Sequence, residues 1–268
     1  MPLPPILYED DTLIAFAKPS GLALAPDRGG VAPSTFLAEV QARWGRQVAL
    51  VHRLDADTSG ILICAKTKPA LDSLSGMFQA KRAAVTYLAL AVVQAAELAA
   101  AAVQPVRGPD GGLPLEFSVD LALAPDEGRP GCTRVAKRRE REGKPSVTEF
   151  RVLEAFGRFA WVEGRPLTGR THQVRVHLAA IGAPVLNDAL YGDPAVRLLL
   201  SELKRSYKGR EEERPLLARL ALHASALTLP HPATAQPLAL AAPLPPEFEI
   251  ALKYLRKFGG GTQSLRKR

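Results

Sequence analysis

The sequence predicts a mixed α and β fold, and three observations predict it. Apolar runs of strand length, "GILICAK" at 60–66 and "AAVTYLALAVV" at 83–93, alternate with amphipathic windows. In those windows, "STFLAEVQARWG" at 34–45 and "PALDSLSGMFQAK" at 69–81, apolar residues recur every three or four positions. The pair "VTEFRVLEAF" and "RFAWVEGRP" reads as a hairpin turning at Gly157.

Taken in order, "ILYEDDTLIAFAK" is expected to form a strand, a turn at Asp10-Asp11 and a second strand, ending at the Pro19/Gly21 break. The first helix presents Phe36, Leu37, Val40 and Trp44 on one face, with Ser34 as N-cap and Gly45 as stop. "QVALVHRL" and "GILICAK" are read as strands, which leaves Asp55 in the loop between them. The second helix carries Leu71, Leu74, Met77 and Phe78 at helical spacing, with Pro69 near its start. The run 83–93 is expected to be a strand buried on both faces. "TGRTHQVRVHLAAIG" opens a third helix, capped by Thr168 or Thr171 and stopped at Gly182. No composition shift precedes Phe258, so one domain is expected over 1–258, with a basic tail at 259–268.

The chain has 268 residues, 47% hydrophobic and 23% charged, ordinary values for a globular protein with a sizeable core. Its net charge of +8 suits a polyanionic partner, and equally a surface kept basic for solubility. Two distant cysteines make neither a disulfide framework nor a zinc site, and they favour a reducing, cytoplasmic setting. The beginning of the chain lacks the pattern of a secretion signal. The apolar run after Tyr87 is interrupted by Gln94 and Glu97, and it does not read as a membrane span.

Asp55 lies in "HRLDADTSG", beside Arg53, Asp57, Thr58 and Ser59. A carboxylate there either orders a turn by accepting backbone N–H groups or does chemistry at a sheet edge. A metal site lacks ligands. His172 and His177 are five apart, about 140° around a helix, and do not converge on one ion. No "GxSxG" elbow supports a serine nucleophile. In "PLTGRTHQVRVH", Arg170, His172, Arg175 and His177 concentrate donors at a helix start, which suits either a phosphate or an ordinary cap. Tyr87, in an apolar strand, reads on its own as a core aromatic. The run "TRVAKRREREGK" reads as a solvated loop or a phosphate-binding face through Arg138, Arg139 and Arg141.

Together these segments resemble the RluA-type RNA pseudouridine synthases. "HRLDADTSG" at 52–60 and "TGRTHQVRVH" at 168–177 match that family's motifs in full. Lys18, Pro19 and Gly21 match its "KPxG", and Leu222-His223-Ala224, His231-Pro232 and "APLP" at 242–245 match its late pattern. One departure is Asn187, where the family usually has glycine. Two stretches, 104–112 and 197–214, look long.

The resemblance implies an α+β fold with a bent, mostly antiparallel sheet flanked by helices and an active cleft across its middle. It implies that Asp55 is the nucleophile toward a uridine in rRNA or tRNA, with Arg170 as its ionic partner. Tyr87 would stack on the base and assist loss of the carbon-5 proton. Arg53, with His52, Thr58 and Lys18, would serve the flipped uridine, and His172 and Arg175 would contact the RNA backbone. It implies no cofactor, no metal, no membrane and no obligate protein partner, and a monomer is expected. The competing reading is a non-catalytic RNA-binding or RNA-folding protein on the same scaffold. A binder has no need of Asp55, Tyr87 and Arg170 together.

Overall fold

In a computed structural model the described residues, 2–24, 35–94, 106–204, 207 and 212–260, form twelve strands and five helices. In chain order these are β1 (Ile6–Glu9), β2 (Leu13–Lys18), α1 (Phe36–Trp44), β3 (Ala49–Leu50), β4 (Ser59–Ala65), α2 (Lys68–Gln79) and β5 (Ala84–Val92). There follow β6 (Glu116–Asp120), β7 (Leu123–Pro125), β8 (Thr133–Val135), β9 (Val147–Phe156), β10 (Phe159–Pro166), α3 (Gln173–Ala180) and α4 (Leu200–Leu203). The last elements are β11 (Leu222–Pro230), β12 (Pro237–Ala241) and α5 (Pro246–Phe258). The backbone divides into two compact units: residues 1–87 with 223–243, and 88–222 with 244–268. Each unit is discontinuous in sequence, so no linker composition marks the division.

In the first unit, β4 is buried along its whole length and serves as the central strand. It pairs antiparallel with β2 (Leu13↔Ala65 to Lys18↔Gly60) and with β3, and parallel with β11 at His223↔Ser59 and Ala224↔Gly60. Gly60 has φ +124, and a Cβ there would stand 2.2 Å from the Ala224 carbonyl oxygen, so only glycine lets β11 approach β4. β1 and β12 extend the sheet as antiparallel partners of β2 and β11.

The core of this unit packs β2 and β4 against both helices. Phe16 meets Phe36 edge-on at 5.2 Å and Trp44 at 5.8 Å. On α1, Phe36 and Val40 are fully buried, and on α2, Ala70, Leu74 and Met77 are the buried stripe. The cap of α1 is Thr35, whose hydroxyl accepts from the Ala38 N–H; the expected Ser34 lies outside the described residues. Of the predicted strand around "QVALVHRL", only Ala49–Leu50 pairs, because the chain turns at 51–58 to form the site loop.

In the second unit, β9 and β10 form the expected hairpin. Gly157 takes the left-handed turn position at φ +58, and β6 adds to β9. β7 and β8 make a separate two-stranded ribbon that carries the basic run. Trp161 packs on Phe248 of α5 with centroids 5.7 Å apart. Only the last four residues of β5 are buried. The first half, with Thr86 and Tyr87, is partly exposed, which corrects the expectation of burial on both faces. The architecture is α+β; the pairings of β1 with β2, β2 and β3 with β4, β11 with β12, β9 with β10 and β6, and β7 with β8 are antiparallel, and that of β4 with β11 is parallel.

Candidate active site

In the first unit, the loop between β3 and β4 carries Asp55. Asp55 is half-buried, and its carbonyl accepts from the Thr58 N–H at 3.1 Å, closing a tight turn. The segment after β2 clamps this turn. Gly21 N–H donates to the Ala56 carbonyl at 2.9 Å and Ser20 Oγ to the Asp57 carbonyl at 2.6 Å. Lys18 lies beneath, only 2% exposed. Its ammonium donates to the carbonyls of Pro19 (3.1 Å), Ala56 (2.6 Å) and Thr58 (2.8 Å). Two expectations are corrected here. Lys18 holds the loop from inside rather than reaching RNA, and Thr58, 1% exposed, is buried with its hydroxyl unpaired among the described residues.

Around this loop, Ser59 Oγ lies 2.9 Å from His223 Nδ1. That contact ties β4 to β11 and was not foreseen, although both residues lie in matched motifs. His52 stacks on Phe78 at 5.2 Å, and its Nε2 accepts from the Ile63 N–H at 3.2 Å. Desolvation holds the His52 pKa down at about 4, so the ring is neutral near pH 7. Arg53 is exposed beside it. The Tyr87 hydroxyl is pushed well above its ordinary pKa by burial first and by the charge of Asp55 second. Tyr87 is therefore a neutral hydroxyl within electrostatic range of the loop carboxylate.

The second unit organises the "TGRTHQ" segment ahead of α3. Gln173 is the fastener. Its Oε1 accepts from Thr168 Oγ1 (2.8 Å) and the Arg170 N–H (3.1 Å), and its Nε2 donates to the Val147 carbonyl (2.9 Å) and Thr148 Oγ1 (3.0 Å). Thr168 Oγ1 in turn accepts from the Val147 N–H at 3.1 Å. The N-cap of α3 is His172, left-handed at φ 55, with no side-chain cap. This replaces the expected Thr168 or Thr171 cap, because the Thr168 hydroxyl is engaged by Gln173 and β9. The Arg170 side chain is exposed at the surface of this segment.

Arg175 corrects the sequence reading most clearly. It is 3% exposed, and its guanidinium forks onto Asp188, Nε to Oδ2 at 2.7 Å and Nη2 to Oδ1 at 2.8 Å. It is a structural ion pair and offers nothing to an RNA backbone. His177 is likewise buried and neutral, its pKa lowered to about 4 by desolvation. His172 stays half-buried, Nδ1 2.8 Å from the Tyr191 hydroxyl. Asn187, the departure from the family pattern, takes φ 59, a conformation asparagine tolerates better than most residues. Its Nδ2 donates to the Leu217 and Arg219 carbonyls at 2.8 and 3.0 Å, bonds a glycine does not make.

On the β7–β8 ribbon and the turn after it, Arg138, Arg139 and Arg141 are all exposed. Arg134 is engaged bidentately by Glu140 at 2.8 and 2.7 Å, and the Lys137 N–H donates to the same carboxylate. The free positive charge of the run therefore rests on the three exposed arginines and their neighbouring lysines.

The family described as RNA pseudouridylate synthase matches residues 12–180, which include Asp55, Tyr87, Arg170 and the elements that hold them. The chain belongs to this family. It is an RNA pseudouridine synthase, an isomerase that acts on RNA. It is 34% identical over 257 residues to the ribosomal large subunit pseudouridine synthase C of Haemophilus ducreyi, covering 94% of this chain and 69% of that protein. It is 35% identical over 254 residues to the protein of the same name from Escherichia coli (strain K12), covering 94% and 70%. Among solved structures, human RNA pseudouridylate synthase domain containing 4 superposes with a TM-score of 0.66 at 26% identity, over 94% of this synthase and 92% of that chain. No helix among the described residues of the synthase is long and apolar enough to cross a membrane.

Proposed function

We propose that this synthase converts a specific uridine of large-subunit ribosomal RNA to pseudouridine, with Asp55 as the nucleophile. The observation that carries the reading is the Asp55 turn. A carboxylate matching the family aspartate sits on a loop clamped from below by a buried ammonium and acts electrostatically on the Tyr87 hydroxyl. Curated relatives named as large-subunit ribosomal RNA enzymes support the choice of substrate.

In the proposed reaction the target uridine leaves its stack, at a cost of a few kcal/mol, and Arg53 fills the vacated space. His52, stacked and neutral, stiffens the base of the same loop. The Asp55 carboxylate attacks the nucleoside. The bond between ribose carbon 1 and uracil nitrogen 1 breaks, and its electron pair goes to the base. The ring turns, carbon 5 bonds to the ribose, the bond to Asp55 breaks and returns its electron pair to the carboxylate, and the carbon-5 proton leaves as nitrogen 1 gains one. Reactant and product are isomers, so no co-reactant is consumed. Tyr87 stacks on the base and assists loss of the carbon-5 proton. Arg170 is the proposed counter-charge to the carboxylate, on the strength of its motif match. Arg138, Arg139, Arg141 and His172 contact the RNA backbone, and this contact provides affinity without specifying sequence.

The test is Asp55→Asn, nearly isosteric and uncharged. Single-turnover isomerisation on RNA mapped by comparing cells with and without the gene should become undetectable, while RNA affinity and thermal melting persist. Activity within about tenfold of wild type, a barrier change of only about 1.4 kcal/mol, would remove Asp55 from the mechanism. Loss of pseudouridine from transfer RNA instead of ribosomal RNA would redirect the substrate assignment.

A further inference from the structure

The last two turns of α5 carry Lys253, Tyr254, Lys257 and Phe258 on one arc of about 140° around the helix axis, beside the stripe that Ala251 and Leu255 bury. The two lysines are exposed and the two aromatic residues half-buried. Tyr254 and Phe258 stack, ring centroids 6.1 Å apart and planes 17° from parallel. Lys257 places its ammonium 5.2 Å from the Phe258 centroid, and Lys204, just past α4, places its own at 5.7 Å. A groove of about 340 Å³ adjoins the cluster, lined by Leu203 of α4, Gly259 after α5, and Phe156, Arg158 and Phe159 around the β9–β10 turn. All of these residues lie in the second unit.

The charge on this surface is one-sided. Three carboxylates of the region are already engaged. Glu202 holds Arg158 at 2.6 Å, Glu154 holds Nε of Arg256 at 2.9 Å, and Glu213 accepts from the Ser201 N–H at 3.0 Å. Glu249, one turn before Lys253 on α5, forms no ion pair with it. No carboxylate among the described residues pairs with Lys204, Lys253 or Lys257. The Tyr254 hydroxyl likewise makes no hydrogen bond among the described residues. The ion pairs also fix the frame, since one ties the β9–β10 turn to α4 and another ties α5 to β9. What this frame presents is three ammonium groups, a phenol and a stacked pair of rings.

Two kinds of macromolecule suit exposed rings, and the lysines separate them. Protein interfaces are depleted of lysine at their centre. Single-stranded nucleic acid is held by lysine and aromatic rings together, because bases stack on the rings while backbone phosphates take the cations. A cation above an exposed ring is weakly held, so a stacking base displaces it and frees the ammonium for a phosphate. We propose that the Tyr254–Phe258 pair, rimmed by Lys204, Lys253 and Lys257, is an accessory site for an unpaired stretch of the substrate RNA. A base stacks on the ring pair, and phosphates meet the three ammonium groups. The adjoining groove is at the lower end of ligand-cleft size and suits a single flanking nucleotide, not a duplex. The site goes beyond the reaction at Asp55, because it adds a requirement for unpaired RNA outside the target uridine. It rests on the chain acting on RNA and is independent of how Asp55 works.

Photo-cross-linking of the wild-type synthase to its mapped substrate RNA, read by mass spectrometry, locates the contact. The cross-linked residues should include Tyr254 or Phe258, and their absence from the cross-links would overturn the proposal. Lys204, Lys253 and Lys257 changed together to Ala should weaken binding of that RNA and of a single-stranded oligouridine. The logarithmic salt slope should fall by about 0.7 for each phosphate given up. Phe258→Leu should weaken both by about five- to tenfold with the salt slope unchanged, since stacking releases no counterions. The rate on fully bound RNA should hold in both variants. Unchanged affinity and slope in the lysine variant would overturn the proposal. So would a loss confined to duplex RNA, or to association with a protein or a second copy of the chain. The lysine variant decides even if Phe258→Leu fails to fold, because none of the three lysines is buried. Failure of the Asp55 reading looks different: Asp55→Asn would then retain activity while these cross-links persist.

Discussion

Arg175 and Asp188 form a closed pair, Nε to Oδ2 at 2.7 Å and Nη2 to Oδ1 at 2.8 Å, with both side chains shut away from solvent. Breaking it leaves a buried charge uncompensated. Asp188→Ala should therefore destabilise the protein by about 3–5 kcal/mol in urea unfolding. Arg175→Met combined with Asp188→Leu should cost less than Asp188→Ala, because no lone charge remains.

Lys18→Met removes the buried donor from three carbonyls of the site loop. Stability should fall by about 2–4 kcal/mol, from unsatisfied polar groups in a tight space. The half-saturating RNA concentration should stay within about twofold, and the single-turnover rate should drop. A large loss of RNA affinity with normal folding would restore Lys18 to the RNA surface.

Tyr87→Phe keeps the ring and removes the hydroxyl. The variant should bind RNA normally and consume the uridine while releasing little pseudouridine, as followed by quenched single-turnover digests. Full product formation would leave Tyr87 as a stacking platform alone.

Changing Arg138, Arg139 and Arg141 together to Ala should weaken RNA binding and flatten its salt dependence. The logarithmic slope should decrease by about 0.7 for each phosphate that is no longer neutralised. The rate on fully bound RNA should hold. Arg134→Ala should act differently, through folding of the ribbon, since Glu140 already holds that guanidinium.

Acid should destabilise the fold through His52 and His177. Both have pKa values lowered to about 4 in the folded state, against an ordinary value of 6.5. Below pH 6.5 the unfolded chain binds protons that the folded chain refuses. Stability is thus fully present above 6.5 and falls as pH drops toward 4, by up to about 1.4 kcal/mol per pH unit for each group. Denaturant unfolding at pH 7, 6 and 5 measures the slope, and His177→Leu should flatten it.

Much of this was legible from residues whose local neighbours decide their state. The Gly157 hairpin, the α2 stripe and the exposed Asp55 loop follow from periodicity and turn chemistry within about ten residues. Two cations misled. Lys18 and Arg175 read as RNA contacts because of the motifs they lie in, yet the acceptors that bury them lie outside those motifs: the Ala56 and Thr58 carbonyls for one, Asp188 for the other. The α3 cap misled for a related reason. Thr168 has the right chemistry for a helix cap, but Gln173 and the Val147 N–H claim its hydroxyl.

The parallel contact between β4 and β11 bears on synthesis. Ser59 and His223 are 164 positions apart, so the ribosome releases the central strand of the first unit long before its neighbour exists. Residues 88–222 must be translated in between, and at about 5–20 residues per second that takes roughly seven to twenty-seven seconds. During this interval the nascent chain carries β4 with its Ser59–Gly60 end unpaired on the side that β11 joins. A chaperone that binds apolar segments has that window in which to keep the strand from other chains. The N-terminal unit is begun first and gains its last strands only after residues 88–222 have been made.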